Sequence, residues 1–131
     1  MERVTLMLAI ALAACSPGAN GSGLPEQSGP WELRSIDGTA FEATARIEFG
    51  ADDQIRGRAP CNTFSGQLDA APRGFAISNL VRSGMHCDEM DAEERFLSAL
   101  QEMDASSMRD AELVLSSGAG REMVFRIQDA R

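Results

Sequence analysis

From Trp31 onward the apolar residues fall mostly at every second position, in short runs broken by turn residues. A period of two puts alternate side chains on opposite faces of a strand, so this pattern confines the chain to half-buried sheet. A first strand begins at Trp31-Glu32-Leu33 and ends at Ile36, before the turn dipeptide Asp37-Gly38. Ala45, Ile47 and Phe49 share one face, with Arg46 and Glu48 on the other. Gly50–Asp53 reads as a turn and Gln54–Arg58, carrying Ile55, as the returning strand of a hairpin. Phe64, Gly66 and Leu68 alternate again, a polar turn runs through Gly74, and Phe75 and Ile77 follow. Strand patterning resumes at Leu113-Val114-Leu115, turns at Ser116–Gly120, and closes with Met123, Phe125 and Ile127.

One segment breaks the rule. Phe96, Leu100 and Met103 are spaced for a single helical stripe, with Leu97 beside them. Asp91 and Glu94 have the spacing of a capping box, which predicts a helix starting near Asp91. Glu93 lies one turn before Phe96 and Leu97, towards the apolar stripe. Strands, one helix, then strands, without βαβ alternation, predict an α+β fold that is mostly β, with an antiparallel sheet.

At 131 residues the chain has room for one domain. The formal net charge is −8, with no lysine, and no basic run or aromatic platform appears. Such a balance repels nucleic acid and anionic lipid head groups and leaves no expectation of a nucleic-acid partner.

Residues Val4–Ala14 are apolar apart from Thr5, a run too short to span a bilayer but of the length of a secretory signal core. Leu12-Ala13-Ala14-Cys15 follows and resembles the bacterial lipobox, in which the cysteine receives a lipid and becomes the first residue. An ordinary cleaved signal or a buried N-terminal helix would be the alternatives. Ser16, rather than aspartate, follows the cysteine, which resembles the outer-membrane default. Ser16–Gly29 has the Gly, Ser and Pro content of a linker. The expected organisation is therefore a signal peptide over 1–14, a lipidated Cys15 and tether over 15–29, and a folded domain over 30–131. The membrane is the expected partner through the N-terminal lipid, in the cell envelope and facing the periplasm.

Two segments stand out together: Gly57–Gly66, GRAPCNTFSG, and Ser83–Leu100, SGMHCDEMDAEERFLSAL. They resemble the META domain family of HslJ-like envelope lipoproteins, in Gly57, Cys61, Asn62, Phe64 and Gly66 and then in Met85, Cys87, Glu93, Phe96 and Leu100. The resemblance runs from about Pro30 to Ile127. Pro60 stands where the family has glycine, and Ser83 where threonine is common. The resemblance implies a small antiparallel barrel-like sheet packed around one helix, with links to envelope stress and antibiotic tolerance. It implies no catalytic residues.

Cys61, His86 and Cys87 offer three metal ligands where structural zinc normally takes four, and adjacent His86-Cys87 is poor spacing. Two free thiols remain an alternative. A disulfide fits better: lipidation would consume one of three cysteines and leave Cys61 and Cys87 as an even pair in an oxidising compartment. A Cys–His nucleophile would need a free thiolate, so His86 is expected as an exposed loop residue. Glu93, on the inner side of a helix, has to be hydrogen-bonded, to backbone N–H groups or to an arginine such as Arg82. Asn62 is expected to bond backbone at a turn. The acidic run Asp88, Glu89, Asp91, Glu93 and Glu94 has no calcium-loop pattern and reads as a charged helix start. No catalytic residue, metal or cofactor is expected.

The function classes this leaves are a non-enzymatic accessory or binding module that contacts other envelope proteins, a carrier of a small apolar ligand or acyl chain, and an enzyme inhibitor. A core filled by Trp31, Phe49, Phe64, Phe96 and Leu100 would favour the first, and an open apolar cavity the second.

Overall fold

The computed structural model describes residues 25, 28–69 and 74–128. The expected signal peptide 1–14, Cys15 and most of the expected tether lie outside the described residues. Bonding into the domain starts just before Pro30, where Ser28 O accepts a hydrogen bond from Phe49 N at 2.8 Å.

The described chain forms β1 (Trp31–Ile36), β2 (Thr39–Ala40), β3 (Arg46–Phe49), β4 (Gln54–Arg58), β5 (Thr63–Leu68), β6 (Ile77–Arg82), α1 (Met90–Glu102), β7 (Ala105–Arg109), β8 (Glu112–Ser116) and β9 (Glu122–Ile127). Across the sheet the order is β6-β5-β4-β3-β1-β9-β8-β7, with β2 paired to β1. Every pairing is antiparallel. The two end strands, β6 and β7, are joined in sequence by α1. At one corner they approach each other: Gly74 bridges to Ala105, and its carbonyl accepts from Ser106 Oγ at 3.1 Å. The result is a curled half-barrel with the helix packed into it, the α+β, mostly β architecture that the patterning implies.

The period of two becomes the core. Trp31, Leu33, Ile47, Ile55, Phe64, Leu68, Leu113, Leu115, Met123 and Phe125 are all buried on the inner face. The helix meets them with Phe96, Leu97, Leu100 and Met103. Each such side chain contributes roughly 1.5–3 kcal/mol by leaving water. Phe64 and Phe96 stack edge-on, ring centroids 5.6 Å apart, so one residue from each motif segment meets at the centre of the core. Phe49 departs from the expectation. It ends β3 beside the Gly50–Asp53 turn and is only half-buried at the core margin.

The helix start also differs. Helix α1 begins at Met90, its N-cap is Glu89, and no side chain caps it. Glu94 cannot close the expected box with Asp91 because its carboxylate is drawn to Arg82, 3.0 Å away. The first turn still carries Asp91 and Glu93, which the helix dipole favours.

Gly57 shows how tightly β3, β4 and β5 are drawn together. A Cβ there would lie 2.0 Å from the Arg46 carbonyl oxygen and 2.9 Å from the Phe64 ring. The obstacle is backbone, which cannot swing aside. Gly57→Ala is expected to cost about 1–3 kcal/mol through overpacking. Urea unfolding checks this, and an unshifted midpoint would mean that the strands part at no cost.

Candidate functional site

The two motif segments converge on one carboxylate. Glu93 is fully buried on the inner side of α1. Its Oε1 accepts from Cys61 N at 2.9 Å and from Asn62 N at 2.8 Å. Its Oε2 accepts from Asn62 Nδ2 at 2.6 Å and from Arg82 Nη1 at 3.0 Å. Four donors thus meet two oxygens, so both readings of Glu93, backbone amides and Arg82, hold at once. Burial pushes the carboxyl up, but the hydrogen bonds from Asn62 and Cys61, with the Arg82 charge, outweigh it. The group is held below the usual carboxylate range.

Asn62 does more than the turn role expected of it. Its Oδ1 accepts from Met85 N at 2.7 Å and Ser83 Oγ at 2.9 Å. Its Nδ2 donates to Met85 O at 3.0 Å as well as to Glu93. All four of its side-chain bonds are made, which fixes the loop between β6 and α1 against the loop between β4 and β5. Thr63 N donates to Ser83 Oγ at 3.2 Å, so a hydroxyl at position 83 serves where the family has threonine.

Cys61 and Cys87 form a disulfide across the same two loops, with Cα atoms 5.7 Å apart. His86 is exposed beside it, and with Cys87 bonded to Cys61 no free thiol stands among the described residues to face the imidazole. Among the described residues no group of His, Cys, Asp and Glu is placed to hold a metal. Met85 is clamped only through its backbone; its side chain is 68% exposed. Phe64, Phe96 and Leu100 lie in the core beneath the clamp, and Gly66 packs against the Ile77 side chain.

One feature escapes a reading of the sequence. Beside the clamp, the outer face of β3 to β6 holds an open groove of about 530 Å3. Arg46, Arg56, Arg58, Thr63, Ser65 and Val81 line it, with Pro30 among the rim residues. Strand register assembles it: Arg46 pairs with Arg58, Glu48 with Arg56, and Ser65 with both Arg56 and Val81. No local run of charge reveals it, because Arg56 and Arg58 of β4 meet Arg46 of β3 only through strand pairing.

The family comparison agrees with the geometry. Two structures solved by NMR share the fold. One is a protein from Burkholderia xenovorans, with 19% identity, a TM-score of 0.64, and coverage of 80% of this chain and 84% of that one. The other has 19% identity and a TM-score of 0.59, covering 77% of this chain and 90% of its own. No curated protein matches the sequence. The sequence model of the META domain matches residues 25–130, a span that contains both motif segments and every described element, and the chain belongs to the META domain family.

Proposed function

We propose that this protein is a non-enzymatic lipoprotein of the bacterial cell envelope, held by a lipid on Cys15 and serving as a stress-related accessory or binding module for other envelope proteins. The observation that carries the module reading is the saturated clamp. Glu93 and Asn62, the polar residues of the motif, spend every bond on each other, on Arg82 and on two loops. A general acid or base has to reach a substrate proton, and a buried carboxylate already accepting four bonds is poorly placed to do so. What the clamp provides instead is a fixed rim.

The filled interior supports the same reading over a carrier. Trp31, Phe64, Phe96 and Leu100 occupy the space between sheet and helix that an acyl chain would need. The anchor rests on the sequence alone: the apolar run, Leu12-Ala13-Ala14-Cys15 and the Gly- and Ser-rich segment after it. Ser16 supports the outer membrane, facing the periplasm, as the destination. Cys15→Ser is expected to leave the protein uncleaved or soluble and to remove it from carbonate-washed membranes of the producing cell. Retention equal to the parent's would defeat the anchor.

A further inference from the structure

We infer that the groove on the outer face of β3–β6 seats the domain on the phosphate head groups of an anionic lipid surface. Its setting rests on the lipid-anchored reading above; its chemistry does not. Three of the chain's twelve cationic residues, Arg46, Arg56 and Arg58, share the outer face of this one groove, with Glu48 the only carboxylate among the lining residues; Arg82, at its edge, is held by Glu93 and Glu94. Set against Glu48 and the neighbouring Glu32, these three arginines leave a small positive excess on a chain of net charge −8.

Two of them, Arg46 and Arg58, are under-neutralised. Arg46 and Arg58 stand directly opposite each other on neighbouring strands, an arrangement of like charges that disfavours the sheet. Arg58 has no carboxylate partner among the described residues. Arg46 Nε is buried and makes no hydrogen bond, its nearest carboxylate oxygen, on Glu32, being 3.7 Å away. Arg56 reaches Glu48 at 3.4 Å. Guanidinium forks bind phosphate oxygens in pairs, and the Thr63 and Ser65 hydroxyls share the outer face with them by register. A multivalent oxyanion placed among these groups would relieve the repulsion between Arg46 and Arg58.

Position and polarity select a membrane rather than a free anion. Pro30, where the segment from Cys15 enters the domain, lines the groove. Twelve residues separate Cys15 from Ser28, and a coil of that length reaches roughly 20 Å, so a lipid on Cys15 would bring this face close to the head groups. Val81 in the groove, 61% exposed, and Met85 on the adjoining loop, 68% exposed, add apolar contact at the same place. The acidic remainder of the domain would be repelled from an anionic surface, turning the groove towards it. Net charge alone argues against anionic lipid, but it averages over faces that a bilayer meets one at a time.

Flotation of the full chain carrying Cys15→Ser tests the seating without any acyl chain, so its failure is separate from failure of the anchor. Vesicles of phosphatidylcholine alone are compared with vesicles containing phosphatidylglycerol; attachment through the apolar N-terminal run would be common to both. The expected result is a preference for the anionic vesicles that weakens with salt. Adding Arg46→Gln and Arg58→Gln should reduce binding to them about five-fold per arginine, roughly 30-fold together. The melting temperature should be no lower than the parent's, because a like-charge pair has been removed. Arg109→Gln with Arg126→Gln makes the same change in net charge on other strands and should keep the preference within about two-fold. Equal binding to both vesicles, equal loss in the control variant, or binding of an acidic peptide or inorganic phosphate without vesicle preference would each overturn the inference.

Discussion

Glu93→Ala is expected to cost about 3–5 kcal/mol of folding stability, the scale of breaking a buried charged network by removing one partner. The loss goes beyond one bond. Two backbone amides, at Cys61 and Asn62, lose their acceptor beneath the surface, Asn62 Nδ2 loses one of two, and the Arg82 guanidinium loses its inner carboxylate. Each donor left unsatisfied costs about 1–3 kcal/mol where water cannot replace the bond. Arg82 is spared part of this because Glu94 also holds it. Glu93→Gln should be milder near neutral pH, keeping one carbonyl acceptor, and should change the response to acid. The folded-state carboxyl is held below its ordinary value. Its stabilising contribution is therefore complete above the unfolded pKa, about 4.3, and is lost as pH falls through the lower folded value. Chemical denaturation at neutral pH and at successive steps below pH 5 measures both effects. Parent and Glu93→Gln proteins losing stability in parallel on acidification would show that the Glu93 carboxylate does not sense pH in this way.

Most of the sheet is legible in the sequence because its inner face is built from large apolar residues at every second position. Gln54–Arg58 is seen at its actual bounds, and Phe64 and Leu68 face inward as their spacing implies. Strand β7 has no comparable pattern. It reads ASSMR, and the inward position opposite Leu115, at the crowded corner by Gly74, is filled by the small Ser106, which alternation based on large residues cannot register. The two exposed residues of β2 give no signal either. At the helix start local spacing points to Asp91 and Glu94, but tertiary partners decide the outcome: Glu93 is recruited by the loop after β4 and Glu94 by Arg82. Glu93 itself could be found, since a carboxylate one turn before an apolar stripe requires partners. The groove could not, because its charges meet only after strands pair in register.

The Cys61–Cys87 bond carries the other large effect, and it is coupled to the first. It closes a loop with a sequence separation of 26 residues, which on a chain-entropy basis is worth about 3.5 kcal/mol relative to the open chain. In a domain of this size that corresponds to roughly 15–25 °C in melting temperature. Replacing both cysteines by alanine, rather than one, avoids an unpaired thiol and should produce a shift of this order. Cys61 is also the residue whose backbone N–H binds Glu93 Oε1, and Cys87 leads into the helix that carries Glu93. The bond thus holds in place the two loops that the carboxylate clamps. Residues sharing such a network are not additive. Removing the disulfide and Glu93 together should cost less than the sum of the separate losses, because either change alone already loosens the same junction. A double-mutant cycle by urea unfolding reads the difference, expected at about 0.5–3 kcal/mol. Additivity within a few tenths of a kcal/mol would mean that staple and clamp hold separate parts of the fold.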